Sequence, residues 1–137
     1  MAEKTRKKPL TKALREKTLA IAGIAESKKA KNIRAFDVRG LTLMADVFVL
    51  CSAGSEPQMR AVADAARQTM REGGSPVLRT EGDHHCGWMI VDCGDVLFHV
   101  FRESARTFYD LDQMWEDAPE VNLKRRTRKT AKDSTEE

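Results

Sequence analysis

Three cysteines, three histidines and two short loop motifs hold most of the reactive chemistry open to this 137-residue chain. His84-His85-Cys86, Cys93 and His99 are zinc-binding side-chain types, but their spacing matches no standard structural site. Gly54-Ser55 opens a helical stretch and is a candidate anion cradle. Metal-assisted phosphoryl chemistry also needs two or three converging carboxylates. The residues that follow, Glu56, Pro57, Gln58 and Met59, contain no Asp-x-Asp pair. Helix capping accounts for Ser55 and turn chemistry for Asp95, which leaves Asp92 at a strand end. Ser52 or Ser55 with His99 and Asp92 supplies the residue types of a nucleophilic triad without a Gly-x-Ser-x-Gly elbow. Cys51 and Cys93 lie in apolar runs, where a thiol acts as a small hydrophobe, so Cys86 is the reactive one. The expectation is a protein with no catalytic, cofactor-binding or metal-binding residues, and not an enzyme.

The elements that position these residues are legible from periodicity. Thr11 caps a helix ending near Ser27, with Leu14, Ile21 and Ala25 on one face. Asn32–Val38 reads as a short strand. Residues 46–52, DVFVLCS, read as a strand buried on both faces. Ser55-Glu56-Pro57-Gln58 is a capping box that starts a helix, whose stripe is Met59, Val62, Ala63, Ala66 and Met70 and whose stop is Gly73-Gly74. Val77–Thr80 is a further short strand, and a helical ending closes at Pro119. The order αββαβββα predicts an α/β (α+β) fold, a mixed sheet with helices mainly on one face and part of the other face open.

The most informative stretch runs from Gly87 to Trp115. Two strand-like segments flank Gly94-Asp95, a dipeptide suited to a two-residue primed turn. With those residues as the loop, Cys93 faces Val96 and the register continues through Ile90 with His99 to Trp88 with Phe101. One face then gathers Met89, Val91, Cys93, Val96, Phe98 and Val100, the core side. The other gathers Trp88, Ile90, Asp92, Leu97, His99 and Phe101, where a charge and an imidazole sit among large rings, as in a partner-binding surface. Asp92 and His99 are diagonal neighbours on it, which predicts a structural hydrogen bond orienting the imidazole.

This segment, with Trp88, the Asp92-x-Gly94-Asp95 turn, the valine-rich strand bearing His99, then Arg106, Phe108-Tyr109-Asp110-Leu111 and Met114-Trp115, closely resembles the ribosomal silencing factor S family, also called Iojap-related. Asp37-Val38-Arg39-Gly40-Leu41, Asp46-Val47-Phe48-Val49-Leu50 and Ser52-x-x-Ser55-x-x-Gln58 follow the same family's order, so the resemblance covers residues 10 to 119. It implies a five-stranded mixed sheet of nucleotidyltransferase-like topology. It also implies binding to the large ribosomal subunit through ribosomal protein L-fourteen, with obstruction of the small subunit and repression of translation. The family's partner surface matches here at Trp88, Tyr109 and Leu111; strand alternation adds His99 and Phe101. Asp110, Asp112, Glu116 and Asp117 would give the last helix an acidic face suited to a basic partner. A nucleotidyltransferase-like enzyme and a large-subunit assembly factor are the alternatives.

Charge is distributed unevenly. Residues 1–9 carry net +3 and residues 120–137 net +2, which leaves the body at −2 out of the total +3. A domain that grips nucleic acid along its own surface is basic. The division expected is a basic, disordered tail over 1–9, a silencing-factor domain over 10–119, and a charged, disordered tail over 120–137. Lys4, Arg6, Lys7, Lys8 and Lys124, Arg125, Arg126, Arg128, Lys129 are candidate contacts to ribosomal RNA by counterion release. Free thiols, the lack of an apolar leader and the lack of any apolar run of spanning length point to a cytoplasmic protein with no membrane contact. A homodimer of the free protein is left open.

Overall fold

The structure, a computed structural model, describes residues 8–83 and 85–124. Its elements are α1 (Lys12–Ser27), β1 (Lys31–Asp37), β2 (Val47–Ala53), α2 (Glu56–Glu72), β3 (Arg79–Asp83), β4 (Trp88–Asp92), β5 (Val96–Arg102), α3 (Glu103–Tyr109) and α4 (Leu111–Met114). The strands form one sheet in the order β1-β2-β5-β4-β3. Only β2 and β5 run parallel, so the sheet is mixed.

Both long helices start where the sequence places their caps. The Thr11 hydroxyl accepts from Leu14 N–H at 3.1 Å. Ser55 accepts from Gln58 N–H at 3.2 Å while the Gln58 side chain accepts from Gly54 N–H at 2.7 Å, the reciprocal arrangement of a capping box. Their stripes pack on one sheet face: Leu14, Ile21, Ala25, Met59, Val62, Ala63 and Ala66 meet Val47, Val49, Cys51, Met89, Val91, Phe98 and Val100. The opposite face is covered by the short α3 and α4 and the chain after them, over Phe36, Phe48, Leu50, Leu97 and Phe101. Every residue of β2 is therefore buried.

The hairpin has the register expected, from Asp92 opposite Leu97 to Trp88 opposite Phe101. Cys93 N–H donates to Val96 carbonyl at 2.9 Å, and Gly94 sits at φ +90°. A positive φ at the first loop position alone is that of a type II′ turn, which a residue with a Cβ fills poorly. Lys17 of α1 secures the turn through the Asp95 carboxylate at 2.7 Å.

Three boundaries differ from expectation. β3 lies at Arg79–Asp83 and not Val77–Thr80, because pairing to β4 sets it; this edge strand buries little, and no apolar run marks it. The helical ending is broken at Asp110, which adopts φ 52°, ψ 48° and separates α3 from α4. The body also extends past Pro119. Glu120 bridges Phe36, Val121 N–H donates to Ala35 carbonyl at 2.8 Å, and the Val121 side chain is buried, so 120–121 lie against the outer edge of β1, while the Asn122 carbonyl accepts from Arg15 of α1 at 3.1 Å. The remaining tail expectations, 1–7 and 125–137, fall outside the described residues.

Candidate functional site

Strand β5 ends at Arg102 and turns directly into α3, so the rings of β4, β5 and α3 collect at one end of the sheet. Trp88 stacks on Phe101 with ring centroids 5.1 Å apart and meets Tyr109 at 4.7 Å. Phe108 packs edge-on against Tyr109 at 5.0 Å. Trp88 Nε1–H donates to His99 Nδ1 at 3.2 Å, and the imidazole lies against Phe48 at 4.8 Å. The hydrogen bond expected from Asp92 is thus replaced by one from Trp88. Asp92 instead accepts from Gly94 N–H at 2.9 Å inside the turn.

Exposure divides the five residues singled out from sequence. Tyr109 is 38% exposed and Trp88 is half-buried. Phe101 at 0%, His99 at 2% and Leu111 at 6% are buried, so in the monomer these three offer no surface to a partner. The reason is α3 and α4, which fold back over this sheet face and place Leu111 against it. Sequence reading of the site passed over two exposed neighbours, Phe108 at 80% and Met114 at 67%. The signal for Phe108 lies in its place just before Tyr109 on a seven-residue helix whose buried residues are Ala105 and Arg106.

Arg106 holds the break between the short helices. Its Nε and Nη2 donate to the two Asp112 carboxylate oxygens at 2.6 and 2.8 Å, and its Nη1 donates to Ser52 Oγ at 2.9 Å. Arg34 adds a bond to Asp112 at 3.0 Å and pairs with Glu120 at 2.8 Å. Hydrogen bonding to Arg106 holds the Asp112 carboxyl below its usual range. Asp112 therefore turns inward, and the acidic face of this region keeps Asp110, Glu116 and Asp117 exposed.

The reactive constellations do not assemble among the described residues. Because β2 and β5 are parallel and in register, Gly54-Ser55 lies at the Arg102 end, whereas Asp92 and Asp95 flank the Val96 end. A seven-residue strand separates these ends by about 20 Å. Cys86 and Cys93 lie beyond opposite ends of β4, and no group of three His, Cys, Asp or Glu among the described residues is placed to hold a metal ion. His84 lies outside the described residues. Ser52 is engaged by Arg106 and Ser55 by its helix. Burial pushes the Cys51 thiol up to about 12 and Cys93 up to about 11, and lowers His99 to about 3, with Arg106 adding to the last. Cys86 is exposed, with its Sγ near the Asp83 and Trp88 carbonyls.

The fold defines an α+β protein built on a five-stranded mixed sheet, an architecture with solved counterparts. A crystal structure from Bacillus halodurans superposes with a TM-score of 0.67 at 33% identity, covering 79% of this chain and 99% of that one. An X-ray structure from Chromobacterium violaceum gives 0.69 at 26%, covering 78% and 88%. Sequence narrows the class. The family described as ribosomal silencing factor during starvation matches residues 11–137. Ribosomal silencing factor RsfS of Halalkalibacterium halodurans is 38% identical over 72% of this chain and 84% of its own, and that of Bacillus subtilis 37% over 74% and 86%. A chloroplastic Iojap protein of Arabidopsis thaliana is 28% identical, over 75% of this chain and 43% of its own. The chain belongs to the ribosomal silencing factor family.

Proposed function

We propose that this protein binds the large ribosomal subunit through ribosomal protein L-fourteen, with Trp88 and Tyr109 as its anchors, and so keeps the small subunit from joining. The observation that carries this reading is the exposed aromatic end of the sheet. Trp88 of β4 and Phe108 and Tyr109 of α3 form one contiguous group at the end of the sheet where β5 turns into α3. Glu81 and Asp83 of β3 share a face with Ile90 and Trp88 across the β3–β4 ladder, and Asp110 is exposed beside Tyr109. Aromatic anchors with an acidic rim suit a basic protein and repel phosphate, which favours a ribosomal protein over RNA as the direct contact.

Such a factor needs no chemistry. If its complex overlaps the footprint of the small subunit, its affinity for the separated large subunit alone shifts the joining equilibrium and represses translation in the cytoplasm. The basic residues of the two tails would add salt-sensitive attraction to ribosomal RNA. Trp88→Ala with Tyr109→Ala is expected to abolish co-sedimentation with large subunits while the circular dichroism spectrum is retained. A folded double variant that still travels with large subunits, or a wild-type protein found on joined ribosomes, refutes the reading.

A further inference from the structure

His99 occupies the central strand, paired to Leu50 on one side and Ile90 on the other, with its ring packed by Phe48 at 4.8 Å and lying nearly parallel to Phe101 at 6.3 Å. At 2% exposure it can touch no partner. Packing alone would be served better by an apolar ring, because a buried polar atom without a hydrogen bond is costly. The imidazole bears that cost: Nε2 is buried and has no hydrogen-bond partner among the described residues. What the imidazole supplies is one acceptor, Nδ1, and that acceptor meets the half-buried indole of Trp88 at 3.2 Å.

We propose that His99 is a positioning residue, whose Nδ1 fixes the Trp88 indole in the orientation that presents its free edge beside Tyr109. The inference rests on the reading of Trp88 as an anchor, and adds that the anchor is set before the partner arrives. Two rings already flank the indole, Phe101 at 5.1 Å and Tyr109 at 4.7 Å, but non-directional ring contacts do not select between the two orientations of its second side-chain torsion. A directional N–H···N bond does not. An indole held in one orientation loses less freedom on binding, which contributes roughly two- to tenfold in affinity. The bond requires the neutral tautomer with its hydrogen on Nε2. Two features of the site supply it: burial disfavours the charged ring, and the nearby Arg106 guanidinium opposes a second positive charge.

Two substitutions separate positioning from packing. His99→Phe keeps a ring and loses the acceptor. His99→Asn loses the ring but carries Oδ1 on Cγ, where the imidazole carries Nδ1. In a Trp115→Phe background, which leaves Trp88 as the single tryptophan, hydrogen exchange of the indole N–H is read by NMR in the free protein. Exchange is expected to rise about tenfold in His99→Phe and to stay near the parent rate in His99→Asn. Retained protection in His99→Phe, or equal loss in both, overturns the proposal. Should the substituted proteins fail to fold, imidazole nitrogen shifts of the unsubstituted protein decide it: hydrogen on Nε2 supports the bond, and hydrogen on Nδ1 overturns it. Large-subunit affinity then tests the anchor separately. An indole loosened in His99→Phe with unchanged affinity supports the lock and removes Trp88 from the interface.

Discussion

Acidification should weaken the fold through His99 before any carboxylate is lost. The folded imidazole is held near pKa 3, against 6.5 for the free side chain, because burial and then Arg106 disfavour its charged form. In the unfolded chain it protonates freely. The unfolded state therefore binds more protons below pH 6.5, and stability falls as pH drops from there toward 3. Each pH unit in that window is worth about 1.4 kcal/mol, so moving from about pH 7.5 to about pH 5 costs about 2 kcal/mol. Asp112 and Glu120, stabilised as carboxylates by Arg106 and Arg34 respectively, contribute above their free values of 3.8 and 4.5 and are lost only below them. The window between is left to histidine. Urea unfolding followed by circular dichroism reads the effect as a midpoint lower by about 1 M. His99→Phe should be nearly flat across the same interval, with His84 and His85 common to both proteins. A parent midpoint that holds steady between pH 7.5 and 5, or a variant that falls in parallel with it, refutes the buried neutral imidazole.

Other perturbations address the supports of the site. Arg106→Met leaves the inward-facing Asp112 with Arg34 alone and should cost about 1.5–3 kcal/mol in urea unfolding, with weaker large-subunit binding as the two short helices lose their register. Asp110→Gly should be close to neutral at its positive φ, whereas Asp110→Val should cost about 1–2 kcal/mol, read as a lower melting temperature. Removing residues 125–137 should weaken co-sedimentation mainly at low salt. Removing 120–137 should lower the melting temperature as well, because Val121 and the Arg34–Glu120 pair go with it.

Local chemistry made the frame of the fold readable. Thr11 and Ser55 each announce a helix through a hydroxyl that accepts from the backbone three residues on, and Gly94 announces a turn by the φ it tolerates. Hairpin register followed from that turn, since a two-residue loop fixes every pair behind it. β3 was misplaced because an exposed edge strand owes its position to the neighbouring strand's hydrogen bonds, which leave no apolar pattern in Arg79–Asp83. The site was legible only in part. Alternation correctly put Trp88, His99 and Phe101 on one face, but a face is not a surface: whether it meets solvent depends on α3 and α4, whose return over it is set by a left-handed Asp110 and a six-residue Arg106–Asp112 pairing. Neither has a periodic signature. Asp112 misled for the same reason, as an acidic residue in a helix reads as solvated until its arginine is known.

The arrangement at this end of the sheet suits a protein that acts by occupying space. Exposed aromatic area binds tightly only if little order must be created on contact, yet large exposed rings in a monomer invite nonspecific association. Here the two demands are met by division of labour among residues close in sequence. Phe101 and Leu111 are buried beneath the exposed rings, and His99 and Arg106 spend buried polar groups on orientation. Trp88, Phe108 and Tyr109 are left as a small exposed tip. Substitutions should then fall into two kinds. Changes at the exposed Phe108 reduce affinity and leave stability near its parent value, while changes at Phe101 or Leu111 reduce stability by about 2–5 kcal/mol and affinity only through it. Phe108→Ala is the discriminating case: 80% exposed, it should alter large-subunit affinity with almost no shift in the urea midpoint. Were it instead to destabilise the monomer as a core truncation does, the tip would be part of the core and the division would not exist.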